Sequence, residues 1–166
     1  MAKKTWAQKI EDRDDFPKIQ KLERGLPCYN AVRRMGAGDG DPIVLVNPSE
    51  IIPHMAGVPR GKLVTIREIC GRIARDHKVK GCCSLTTGIF IMSIANAAEE
   101  AKSRGERTAI AEVPYWRTLK ADGFLNGKFP GGLEAHRELL EKEGFRVIRR
   151  GSRYQVADFE RYLARL

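Results

Sequence analysis

The sequence predicts an α+β domain. Three observations carry this expectation. Residues 65–76 and 84–103 each open on a helix-start signal and carry apolar side chains at helical intervals. Residues 145–156 read as two short strands turning at Gly151-Ser152. The chain has 166 residues, 42% of them apolar, which is enough for one modest core. Together these features describe a small winged-helix-like fold, a helix-turn-helix followed by a C-terminal hairpin.

Residues 1–46 read as an irregular N-terminal extension, because the charges are mixed and Gly36-Ala37-Gly38-Asp39-Gly40-Asp41-Pro42 is a dense cluster of chain breakers. Ile43 to Val46 forms at most a short strand. The glycine loop lacks the Gly-Lys-Ser/Thr ending of a phosphate loop and the register of a calcium loop, so it reads as a linker. The domain proper is expected over 47–166. Asn47-Pro48-Ser49-Glu50 starts a helix, with proline tolerated in the first turn, and Gly57 to Gly61 ends it.

Thr65-Ile66-Arg67-Glu68 has capping-box spacing, and Ile66, Ile69, Cys70 and Ile73 form one stripe behind it. Asp76 to Gly81 reads as a basic turn containing Lys78 and Lys80. The second helix starts near Ser84 or Thr86 and ends at Ser103-Arg104-Gly105. Its stripe is Phe90, Ile94, Ala97 and Ala101, widened by Ile91 and Ala98, with Thr86, Thr87, Ser93 and Asn96 as small polar members.

Val113 to Leu119 holds a proline and two large aromatics and reads as an ordered loop. Asp122-Gly123 is a turn, and Gly127 to Gly132 is a glycine-rich loop in which Gly131-Gly132 permits close backbone approach. Leu133 to Lys142 reads as a helix closed by Gly144. The hairpin that follows carries Arg146, Arg149, Arg150 and Arg153 with no acid between them, and a short helix from Asp158 through Leu163 ends the fold.

Thirty basic against twenty-one acidic residues give a formal charge of +9, and residues 61–128 hold the largest share, with twelve basic and seven acidic side chains. That excess favours a polyanionic partner. No apolar run reaches the ~18 residues of a membrane helix, and the N-terminus has no apolar signal core. Cys28, Cys70, Cys82 and Cys83 match no zinc spacing, and His54, His77 and His136 are scattered. The expectation is therefore a cytoplasmic protein, nucleoid-associated in a prokaryote, with reduced thiols, no cofactor, no metal and no membrane partner.

Four separated motifs, in order, then carry a resemblance. They are Val58-Pro59-Arg60-Gly61-Lys62-Leu63-Val64-Thr65, Val113-Pro114-Tyr115-Trp116-Arg117, Gly131-Gly132-Leu133, and Leu139-Leu140 followed by Glu143-Gly144. Over residues 48–144 the chain resembles the DNA-binding, active-site domain of the methylated-DNA–protein-cysteine alkyltransferases. In that family the second motif is Pro-Cys-His-Arg. The resemblance places Tyr115 where the acceptor thiolate would stand and Trp116 where the activating histidine would stand. Alkyl transfer needs a soft, ionisable nucleophile beside a base, and neither a phenol nor an indole supplies that pair. The chain is thus similar to alkyltransferase-like proteins, the branch that binds alkylated guanine in DNA and marks it for other repair proteins without transferring the alkyl group.

The resemblance implies Thr65, Thr87, Gly88, Asn96 and Arg117 as DNA-contacting residues; Thr86 shares the helix start, whose amides and hydroxyls suit phosphate, and the charges of Arg67, Lys78 and Lys80 flank that surface. It implies Pro114, Tyr115, Trp116, Gly131, Gly132 and Glu143 as the wall of a base pocket. Its partners would be double-stranded DNA and repair proteins. Two departures favour a second reading. Ile66 replaces the family tyrosine that rotates the target phosphate, and Thr87 (Gly88 if the register slips) replaces the arginine that fills the gap left by a flipped base. On the second reading the domain is a protein-interaction adaptor that kept the fold and lost lesion recognition. A base-directed lyase or glycosylase activity is a third reading, with Glu143 as its only placed acid.

Overall fold

The computed structural model describes residues 2–11 and 13–166; Met1 and Asp12 lie outside the described residues. The chain is α+β, with six α-helices and three small sheets among these residues.

Residues 1–46 depart from the expected irregular extension. They hold α1 (Trp6–Lys9), β1 (Lys18–Lys21), α2 (Tyr29–Arg34) and β2 (Pro42–Leu45). β1 pairs antiparallel with β2, and β2 pairs parallel with β4 (Gly81–Cys82). A sheet therefore ties this region to the helix pair. The reason is apolar burial at long range. Leu22, Val32 and Ile43 pack with Cys28 and Cys83 into a small core of their own. The Gly36 to Asp41 cluster is the turn that sends α2 back into β2, with Gly38 N–H on the Asp41 carboxylate at 2.7 Å.

α3 (Pro48–Ala56) starts on the Asn47 capping box with Glu50, as the sequence predicts, and ends at Gly57. α4 (Ile66–Asp76) is capped by Thr65, whose side chain accepts from Arg67 N–H while Glu68 reaches back to the Thr65 backbone N–H. Such a cap is worth about 1 kcal/mol. α5 (Ser84–Ser103) is a single 20-residue helix, about 30 Å long. Its core stripe meets Ile51 and Met55 of α3 and Ile69 and Ile73 of α4 in the largest buried cluster. Each such aliphatic side chain contributes about 2 kcal/mol of burial. The connection between α4 and α5 is not a free turn, because β4 within it completes the sheet with β2.

β3 (Val64–Thr65) pairs parallel with β5 (Thr118–Leu119). The expected turn at Asp122-Gly123 is present, closed by Gly123 N–H on the Lys120 carbonyl. α6 (Gly132–Lys142) follows the glycine-rich loop. The basic hairpin is present as β6 (Val147–Arg150) and β7 (Arg153–Val156), turning at Gly151-Ser152. It packs through Val156 onto Leu63, Leu119, Leu125, Leu140 and Phe145. The tail beyond Asp158 is a short 3-10 turn, Phe159–Tyr162. No helix of the described residues is long and apolar enough to cross a membrane.

Candidate nucleic-acid interface

The first turns of α5 present an unusual surface. Leu85 and Ile89 are 48% and 52% exposed, two of three large apolar side chains so exposed among the described residues. With Met92 they stand at i, i+4 and i+7, a second apolar stripe on the side of α5 away from the core. They border a groove of about 220 Å³ shared with Ile66, Lys120, Asn126, Lys128 and Phe129. A neighbouring depression, reached past Ile66 and Ser84, adds Arg34, Arg67 and Asp122. Among the described residues, Arg34, Arg67, Lys120 and Lys128 make no ion pair. Cys83 caps α5 without a side-chain hydrogen bond, which leaves the leading amides of this helix open beside the groove.

Tyr115 sits behind this groove. It heads a 3-10 turn, Tyr115–Arg117, and is only 2% exposed. Its hydroxyl donates to Glu99 Oε2 on α5 at 3.0 Å. Its ring meets Trp116 and Phe129 edge-on at 5.4 and 5.5 Å. Burial, and then the Glu99 carboxylate, push its phenol above the ordinary value. Phe129 lines the groove on one side and touches Tyr115 on the other, so the two features share a wall. Beyond Tyr115 a second cavity of about 360 Å³ is edged by Trp116, Glu99, Lys102, Gly131 and Glu138. Trp116 is half-buried there, with Lys102 Nζ 5.3 Å from its ring centre.

Of the residues expected to wall a base pocket, this cavity brings together Tyr115, Trp116 and Gly131. Pro114 is buried. Gly132 opens α6 with a positive φ of 77°, and the preceding Gly131 has 80°, a pair of left-handed positions that glycine tolerates. Glu143 is bound elsewhere. Arg117 Nε lies 3.0 Å from both Glu143 carboxylate oxygens, Nη2 lies 2.6 Å from Oε1, and Nη1 donates to the Val58 carbonyl at 2.8 Å. Burial raises the Glu143 carboxyl, but Arg117, with Arg60 behind it, outweighs that and holds it below the ordinary range. The buried Trp116 indole N–H makes no hydrogen bond within normal geometry among the described residues, while its ring centre lies 5.6 Å from the Arg117 guanidinium.

Several expected DNA contacts take other roles. Arg117 is a buried clamp, with its donors spent on Glu143 and Val58. Thr65 is fully buried as the α4 cap. Thr87 is fully buried too, its hydroxyl donating to the Cys83 carbonyl at 2.8 Å beside Cys82 Sγ. The cause is helical phase. Thr87 lies four residues before Ile91 and seven before Ile94, on the core stripe. Asn96 is half-buried, and its amide donates to the Met92 carbonyl and to the Lys128 carbonyl, which ties α5 to the glycine-rich loop. Gly88 lines the groove and Arg67 the neighbouring depression, whereas Thr86 is partly exposed but borders neither, its hydroxyl donating to Cys83 Sγ at 3.4 Å. Lys78 and Lys80 are exposed beyond the C-terminal end of α4, whose helical rise from Arg67 to Asp76 is about 14 Å.

His136 was set aside in the sequence as one of three scattered histidines, yet it organises this region. It is 1% exposed; Nδ1 accepts from Asn126 N–H at 3.1 Å and Nε2–H donates to the Trp116 carbonyl at 2.8 Å. Burial lowers its pKa to about 4, with the Trp116 carbonyl opposing, so the ring is neutral. Its place four residues after Gly132, three before Leu139 and four before Leu140 on the inner face of α6 was the available signal.

The thiols lie away from the Tyr115 cavity. Contact with Cys70 and burial raise the Cys82 thiol, and burial beside Cys83 raises Cys28 to about 12. Among the described residues, no group of three His, Cys, Asp or Glu side chains is placed to hold a metal ion.

No family model matches the chain, and no curated protein sequence matches it. Among solved structures it is similar to S. pombe Atl1 in complex with damaged DNA containing O6-carboxymethylguanine. The TM-score is 0.47 at 18% identity, over 72% of this chain and 94% of that one. It is likewise similar to S. pombe ATL in complex with DNA, with a TM-score of 0.48 at 15% identity over the same shares.

Proposed function

We propose that this chain is a non-enzymatic DNA-binding protein that recognises O6-alkylguanine or a related damaged base and marks it for repair proteins. The observation that carries the reading is the groove at the start of α5. There Arg67, Lys120 and Lys128 stand without ion-pair partners among the described residues, around open helix amides. Free cations and helix N-terminal amides are what a phosphate backbone engages. The ordered motifs through Gly144 supply the lesion class.

The Tyr115 cavity fits the same reading. Trp116 offers a ring for stacking, and Glu99 and Glu138 offer acceptors for the exocyclic amino group, the donor that a guanine keeps when its O6 is alkylated. Tyr115 itself holds the cavity wall and does not stack, since its ring is enclosed and its hydroxyl engaged. A neutral phenol next to an indole offers no nucleophile, and the buried Cys28 and Cys82 thiols, raised by their burial and thiol neighbours, offer none either.

The test is a titration of matched duplexes carrying O6-alkylguanine or guanine, followed by intact-mass measurement of the protein. Tighter binding of the alkylated duplex with an unchanged protein mass is expected. Equal affinities overturn the lesion reading, and a mass gain of one alkyl group overturns the non-enzymatic one.

Three observations favour the adaptor reading. Tyr115 is enclosed, Thr87 is buried, and the first turns of α5 expose Leu85 and Ile89. Binding of neither duplex at low salt would favour it.

A further inference from the structure

The exposed stripe on α5 has no counterpart in the motifs that suggest DNA binding. Leu85 and Ile89 are each about half exposed, one turn apart, at the helix end flanked by cations that make no ion pair among the described residues. The core stripe of α5 is already satisfied by α3 and α4, so packing does not explain them. Readers of base edges carry Arg, Asn or Gln at such positions for paired hydrogen bonds. Here the first two turns offer Ser84, Leu85, Thr86, Gly88 and Ile89, and none can make a two-pronged contact. Apolar side chains at a cationic surface suit another mode, insertion between base pairs from the minor groove with partial unstacking and a kink.

Charge favours a base step over a protein partner. The exposed apolar surface is confined to two side chains, with Met92 behind them, over a groove of about 220 Å³. The rim is cationic, with Lys120 and Lys128 across the groove and Arg67 at its end. Among the described residues, Asp122 is the one acid at the neighbouring depression.

We propose that Leu85 and Ile89 form an apolar wedge that enters a base step of duplex DNA, unstacking and kinking it, while Lys120 and Lys128 hold the adjacent phosphates. This rests on the DNA-binding reading above. The wedge supplies mechanically what an arginine at position 87 would supply in the family the motifs resemble, and it explains how a buried Thr87 is compatible with DNA distortion.

The experiment compares the wild-type chain with Leu85→Thr/Ile89→Thr on a duplex carrying a central 2-aminopurine and end labels for energy transfer. Both side chains are at the surface, and a thermal melt confirms that the variant folds. The wild type is expected to raise 2-aminopurine emission severalfold and to shorten the end-to-end distance. The variant is expected to lose both signals and about tenfold in affinity, with the salt dependence of binding unchanged because the cations remain. Wild-type binding without either signal, or a variant that keeps both, overturns the wedge and leaves DNA binding standing. No binding by the wild type at low salt overturns the DNA reading itself.

Discussion

The Tyr115 hydroxyl donates to Glu99 Oε2 at 3.0 Å, so the loop that the resemblance aligns with an alkyl acceptor is fastened to the C-terminal half of α5. Tyr115→Phe removes this bond and leaves a half-buried Glu99 that water can reach. The expected loss is about 1 kcal/mol, read from the urea midpoint, with DNA affinity little changed because the ring still fills its site.

Tyr115→Cys places a thiol at the aligned position without a base beside it, since Trp116 follows. No alkyl transfer from an O6-methylguanine duplex is expected, as judged by intact mass. Transfer by this single variant would show that the indole is no obstacle.

Arg117 and Glu143 form a pair 13% and 5% exposed at the side chain. Removing one partner strands a buried charge, so Arg117→Met is expected to cost about 3–5 kcal/mol. Glu143 has a folded-state pKa below its unfolded value. Its contribution is therefore present above the unfolded pKa of ~4.3 and lost as pH falls through the lower folded value. In the variant, stability measured across this acid range should lose that slope.

His136 has the opposite charge type, and the sign follows from its lowered pKa of about 4. The unfolded chain takes up a proton near pH ~6.5 while the folded chain does not. Stability should be fully present above that pH and fall between it and about 4, by roughly 3 kcal/mol in all. His136→Gln should flatten this window in a urea-denaturation series, at a cost at neutral pH.

Gly123 has φ +81°, and a Cβ there would lie 2.3 Å from Phe159 Cδ1. Both the backbone and the ring oppose a side chain. Gly123→Ala is expected to destabilise by about 2–3 kcal/mol, visible as a lowered Tm.

The local elements were legible where sequence and structure share a short range. The Asn47 and Thr65 capping boxes, the start of α5 at Ser84 and the turn at Gly151-Ser152 all follow from neighbours within four residues. The β1-β2-β4 sheet was not legible, because β4 is two residues long and its partner lies about forty positions away. Of the site, Tyr115 and Trp116 stood out as aromatics in a proline loop, and the structure brings them to one cavity with Gly131. The family resemblance puts Thr87 at a DNA-facing position, whereas the phase of Ile91 and Ile94 turns it inward. Arg117 was misread because nothing local reveals that Glu143 and Val58 converge on it.

The central claim is that duplex DNA lies against the groove beside α5, and charge at that groove tests it most directly. The slope of log affinity against log salt, measured for the wild type and for Lys120→Gln/Lys128→Gln, counts the phosphates engaged. The wild type should bind with a steep negative slope, and the variant's slope should be shallower by about 2, one phosphate contact for each lysine. An identical slope in both proteins, or no wild-type binding at low salt, would contradict the account.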